Sequence, residues 1–152
     1  MAIIPSKKLV IITLVLGLVS LIIGGTFIAQ GFDKSRLITE TMRLEKATYT
    51  GEDAKGLISG VIDTAQEAHA MAEVLKEHRL AQGIYTELKR DDPKRATILQ
   101  AMTMENSLHL AYLGFGLATV VKAVGAFMII VGLALGLGAY SVIHPKSFLR
   151  IS

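Results

Sequence analysis

The sequence predicts an all-α membrane protein with two transmembrane helices and a helical extracytoplasmic domain between them. The second span is expected to be continuous with a long helix of that domain. Three observations predict this. The apolar residues of the 152-residue chain, which is 51% hydrophobic with a mean hydropathy of +0.49, gather in two blocks near residues 9–29 and 108–143. All 13 acidic residues fall between Asp33 and Glu105. The short flanks carry bases and no acid, Lys7 and Lys8 before the first block and Lys146 and Arg150 after the second.

These flanks account for a pI of 9.2, so the basic balance is not the footprint of a nucleic-acid partner. There is no cysteine, which excludes disulfides, Cys-ligated zinc, iron–sulfur clusters and thiol catalysis. A small domain outside the cytoplasm is then held by packing, by its anchors or by a partner.

Residues 1–8 read as a cytoplasmic N-terminus and 9–29 as the first span. That stretch is uncharged and meets the roughly 20 residues needed to cross about 30 Å of hydrocarbon. It exceeds the apolar core of a signal peptide, and no A-x-A cleavage site follows. The second block, 108–143, has one formal charge, Lys122. Placing the span at 123–143 puts Lys122 at the outer interface and leaves 108–121 apolar nearly all round, in need of burial. Placing it near 108–130 sinks Lys122 into hydrocarbon, which costs about 2.5–3.5 kcal/mol unless the lysine is paired or snorkels. The first register is preferred. The basic flanks put both termini, including 144–152, in the cytoplasm and 30–107 outside the cell membrane.

Small residues recur at helical spacing in both spans: Gly17, Ser20 and Gly24 in the first, Gly125, Gly132 and Gly136 in the second. Small residues let helix backbones approach closely in lipid. Such a face either pairs the two spans or joins a neighbouring subunit.

Between the spans, 33–50 is polar with weak periodicity and reads as loop or edge strand, with an extended piece at Thr48 and Tyr49. A helix follows, starting between Asp53 and Asp63 and ending near Gln82. Leu57, Val61, Ala65, Ala68, Ala72 and Leu75 would share one face. Asp63 with Gln66 fits a capping box, and Gly83 suits a left-handed position past the helix end. Residues 84–91 form a connector. Asp92-Pro93 is a helix start, with Asp as N-cap and Pro in the first turn. No further proline occurs before Pro145, so one helix is expected from Pro93 through the second span.

The connector and long helix resemble a family of small bacterial two-span membrane proteins, often labelled automatically as aromatic ring-opening dioxygenases. The resemblance rests on Gly83, Tyr85, Glu87, Leu88, Arg90, Asp92, Pro93 and Arg95, followed by a Gly-rich second span in which Lys122 replaces an expected apolar residue. It implies the two-span layout. A ring-opening dioxygenase needs iron ligands such as two His and a carboxylate in a closed pocket, a set these residues do not supply.

Of the four histidines, His69 and His78 face opposite sides of one helix. His69 with Glu73, and Glu105 with His109, are i,i+4 pairs that could each lend two metal ligands, although an ordinary hydrogen-bond pair explains them as well. The connector residues Tyr85, Arg90, Asp92 and Arg95 are candidates for a docking surface. No phosphate-binding glycine loop and no nucleophile motif is present, and no cofactor is called for. The expectation is a non-enzymatic accessory or scaffold subunit. Its partners would be the lipid bilayer and either its own copies or a larger membrane complex, such as a respiratory or monooxygenase assembly. The alternative is an extracytoplasmic metal-binding or redox-associated membrane protein.

Overall fold

The computed structural model describes residues 7–46, 48–49 and 60–144. Its elements run α1 (Lys7–Leu44), β1 (Thr48–Tyr49), β2 (Gly60–Val61), α2 (Ala65–Gln82) and α3 (Lys94–Ile143). Leu57, the Asp53 end of the expected second helix, and the basic residues Lys146 and Arg150 lie outside the described residues. Helices α1 and α3 are both long and apolar enough to cross a membrane.

Helix α1 is longer than the sequence suggested. It has 38 residues and continues to Leu44 through the stretch expected to be loop. Its solvent face carries an Arg36–Glu40 pair one turn apart, and Thr41 donates its hydroxyl to the Leu37 carbonyl. The opposite face presents Ile38 and Met42, four residues apart, to a core. The extended piece expected at Thr48–Tyr49 is present, paired antiparallel with Gly60–Val61.

Helix α2 begins later than its apolar periodicity implied. Val61 is in β2 and exposed, and Gly60 adopts φ +84°, which ends any helix running from upstream. The capping box is also one residue further on. Thr64 is the N-cap and accepts from the Glu67 N–H, while the Glu67 carboxylate accepts from the Thr64 N–H at 3.0 Å. Asp63 is drawn off to Arg43, whose Nε donates to Oδ2 at 2.9 Å. At the other end Gly83 has φ +122° and ψ 174°, a conformation open only to glycine, and donates to the Leu80 carbonyl.

Helix α3 starts as the Asp92-Pro93 pair predicted, with the Asp92 carboxylate accepting from the Lys94 N–H at 2.9 Å. It then runs 50 residues without a break, a length of about 75 Å at 1.5 Å per residue.

The chain divides into two compact units. One comprises residues 33–118. Its core joins Met42 of α1, Ile62, Ala68, Ala72 and Val74 of the α2 region, and Leu108 of α3. Ala68 and Ala72, two of the positions predicted to share a face, are fully buried. Among the described residues Ile62 and Ile98 are the largest fully buried side chains. Each contributes about 1.5–3 kcal/mol by leaving water. The α1 extension is also tied to the start of α2 by Thr39, whose hydroxyl donates to the Asp63 carbonyl at 3.2 Å. The other unit comprises residues 1–32 and 119–152 and contains the apolar lengths of α1 and α3.

Candidate functional site

The two apolar helix segments pair antiparallel along a seam of glycine. A Cβ placed on Gly17 would lie 3.1 Å from the Gly132 carbonyl oxygen, and one on Gly132 would lie 2.8 Å from that of Gly17. One turn-pair along, Gly24 and Gly125 stand in the same reciprocal relation, with both distances 2.7 Å. Between these points the buried Ser20 hydroxyl donates to the Met128 carbonyl at 2.7 Å. Backbone therefore meets backbone, and the buried Ser20 hydroxyl among them has a partner, as a buried polar group requires.

Five of the six small residues singled out from sequence thus come together between α1 and α3. Gly136 borders the seam through its backbone nitrogen, 3.5 Å from a Cβ on Gly17, but a Cβ of its own would meet nothing within 4 Å. The sequence reading missed Gly31 and Ala139, both buried. Their signal is a step of seven, Gly17–Gly24–Gly31 on α1 and Gly125–Gly132–Ala139 on α3. A seven-residue recurrence keeps one face turned to a partner in left-handed helix pairing.

The seam also sets levels. The pairs Gly17/Gly132 and Gly24/Gly125 put Leu9 across from Tyr140 and Ala29 across from Val120. The stretch level with 9–29 is therefore 120–140, three residues earlier than 123–143. Lys122 is then level with Phe27, yet its ammonium reaches to 5.0 Å from the Phe32 ring centroid. Side chains on a helix lean toward its N-terminus, and on α3 that is the direction of Phe32.

In the unit spanning 33–118 the polar candidates are engaged internally. Glu105 is buried and takes two hydrogen bonds from Arg79, at 2.8 Å from Nε and 3.4 Å from Nη2. That hydrogen bond raises the Arg79 pKa above its ordinary value. His69 stacks on Tyr112 with centroids 4.8 Å apart, and the His109 ring lies 6.3 Å away. Glu73 pairs with Lys76 at 3.2 Å. The i,i+4 pairs His69/Glu73 and Glu105/His109 therefore do not converge on one point. Among the described residues no group of three or more His, Cys, Asp or Glu is placed to hold a metal ion.

The connector motif has a structural account. Arg95 lays its guanidinium 4.1 Å from the Tyr85 ring centroid and donates to the Tyr85 and Leu88 carbonyls at 3.3 and 2.8 Å. Asp92 caps α3, and Gly83 ends α2. Tyr85, Asp92 and Arg95 are thus spent on the turn between α2 and α3, while Arg90 stays exposed. No protein-family profile, curated protein or solved structure matches the chain.

Proposed function

We propose that the chain is a two-span integral protein of the cell membrane that acts as a non-enzymatic accessory or scaffold subunit. It associates with its own copies or with a larger membrane complex, a respiratory or monooxygenase assembly being the concrete form. In this reading both chain termini are cytoplasmic and residues 30–107 lie outside. Lys122 snorkels, carrying its charge from hydrocarbon depth toward the headgroups and so reducing the insertion cost of a buried ammonium.

The observation that carries the reading is a bare apolar ridge on α3. Leu110, Leu113 and Leu117 share one face at three- and four-residue spacing and remain 69%, 63% and 66% exposed. The inner face of the same stretch, Leu108, Ala111 and Phe115, is covered by the core. A ridge of this kind needs lipid or a partner. Five of the six small residues singled out from sequence are occupied in the seam, so in this reading an outside contact falls mainly to these larger side chains. The metal-binding alternative has no comparable support, since its carboxylates already pair with Arg79 and Lys76.

Native mass spectrometry of the protein released in mild detergent tests the proposal. Oligomers or a co-purifying membrane subunit are expected, and Leu113→Gln should weaken them. A strictly monomeric protein with no companion would refute it. Because the chain has no cysteine, single introduced cysteines at Lys8, Arg90 and His144 give its topology directly: Arg90→Cys should react from outside, and the other two only after lysis.

A further inference from the structure

The unit spanning 33–118 contains a cavity of about 780 Å³ between α1, the start of α2 and α3. That is within the 300–1,000 Å³ typical of small-molecule sites. We propose that it holds one hydrocarbon chain of a zwitterionic phospholipid, with the headgroup at Glu45 and Lys46. The proposal rests on the two-span reading only for the supply of lipid.

The walls select for hydrocarbon. Ile38 and Met42 of α1, Ile62 and Met71 near and on α2, and Leu108 and Ala111 of α3 supply apolar surface. The two methionines are unbranched and flexible, and suit a chain of variable shape. Three hydroxyls also line the cavity, but each donates within its own helix: Thr41 to Leu37, Thr103 to Leu99 and Ser107 to Thr103, at 2.8–2.9 Å. They offer an occupant no hydrogen-bond donor. A ligand rich in acceptors would therefore lose hydration that these walls replace poorly, whereas an alkyl chain has none to lose.

The mouth selects the headgroup. Glu45 and Lys46 line the cavity where α1 ends, and among the described residues neither side chain has an ionic partner. Lys46 is held at φ +49° with its N–H bonded to the Arg43 carbonyl. Glycine takes that helix-ending conformation at lower cost, so the site keeps a lysine where the backbone favours another residue. One free cation beside one free anion matches a headgroup carrying a phosphate and an ammonium. It matches a purely anionic headgroup less well, because Glu45 repels it.

The test uses the full chain in nanodiscs of phosphatidylethanolamine and phosphatidylglycerol. A trace of phosphatidylethanolamine carries a diazirine midway along one acyl chain, and labelled residues are mapped by tandem mass spectrometry. Label is expected on Met71, Met104 and Leu108, as well as on outward residues such as Leu16 and Phe127. Ser107→Phe and, from the opposite wall, Thr41→Phe should each cut cavity label at least fivefold and leave label on Leu16 and Phe127 unchanged. Lys46→Glu, or the same diazirine chain on phosphatidylglycerol, should lower cavity label about threefold. Label on the outward residues with none in the cavity, or cavity label indifferent to both phenylalanines, would overturn the inference while leaving the two-span reading intact. Absence of label on Leu16 and Phe127 would instead defeat the two-span reading, and the lipid supply with it. A chain-to-chain cross-link through Thr103→Cys would place a second copy in the cavity and also overturn it.

Discussion

Substituting alanine at two adjacent glycines of α1 should have opposite consequences. A methyl group on Gly24 would stand 2.7 Å from the Gly125 carbonyl oxygen, 2.8 Å from Ile129 Cγ1 and 3.0 Å from the Ile129 nitrogen. Two of these three atoms are backbone, so the helices must separate for the methyl to fit. Separation also stretches the Ser20–Met128 hydrogen bond, one turn away. A methyl on Gly25 would meet nothing within 4 Å. Both substitutions gain the same helix propensity, up to about 1 kcal/mol, so their difference isolates the contact. Overpacking of this kind costs about 1–3 kcal/mol, which is a factor of roughly 5 to 150 in the paired-to-separated ratio at 1.4 kcal/mol per decade. The cysteine-free chain allows donor and acceptor dyes at Lys8→Cys and Tyr140→Cys, and energy transfer followed through an SDS titration reads the separation of α1 from α3. Gly24→Ala should separate at lower SDS than Gly25→Ala. Equal midpoints would refute the close-packed seam.

Four further outcomes are expected. Ser20→Ala should weaken the same transition by about 0.6 kcal/mol, a typical value for hydrogen bonds between membrane helices. Thr64→Ala removes the N-cap of α2 and should cost about 1 kcal/mol, visible as faster amide exchange over the first turn of Ala65–Gln82. Gly83→Ala places a Cβ at φ +122° and should cost about 1–3 kcal/mol, measured by urea unfolding of the 33–118 unit in the full chain. Glu105→Gln leaves the Arg79 guanidinium with a neutral acceptor and should cost about 1.5–3 kcal/mol, whereas Lys76→Gln, in an exposed pair, should change stability by less than about 0.5 kcal/mol. On the arginine side the Arg79 pKa is raised. Its share of the pair's stability is thus complete below the ordinary arginine range and lost only as strong alkali passes the raised value.

How far the sequence could be read depended on where a single residue dominates. Asp92-Pro93 located the start of α3 to within a residue, because a cap and a proline act locally. The absence of any breaker after it carried the helix to Ile143. The extension of α1 past Ala29 was hidden because only Ile38 and Met42 face inward there, too few to make a period. The Arg36–Glu40 spacing was the available clue. Periodicity misled at Val61, which has the spacing of the α2 face but follows Gly60, whose positive φ ends the pattern. The capping box was displaced because Asp63 and Thr64 both fit its first position. The local motif, Ser/Thr followed three residues later by Glu/Gln, favours Thr64 with Glu67, and Arg43, 20 residues away, engages Asp63 instead. The glycine spacing was legible but its partner was not, since the same stripe suits an internal pair and an outside one. The cavity was invisible for a related reason: its walls come from three segments distant in sequence.

Consider last what a joint made of glycine leaves over. Glycines bring the two apolar helices together, with Leu21, Ile28, Ile129 and Leu135 packed beside them, and many of the other bulky groups are turned outward, including Phe127, Ile130 and Leu137, each about two-thirds exposed. Replacing a residue of the joint would open the hairpin itself. Replacing those on the rim would leave the hairpin whole and change only the company it keeps. Affinity for neighbours can therefore drift or be redesigned without disturbing the fold, because the two properties are written on opposite sides of the same helices.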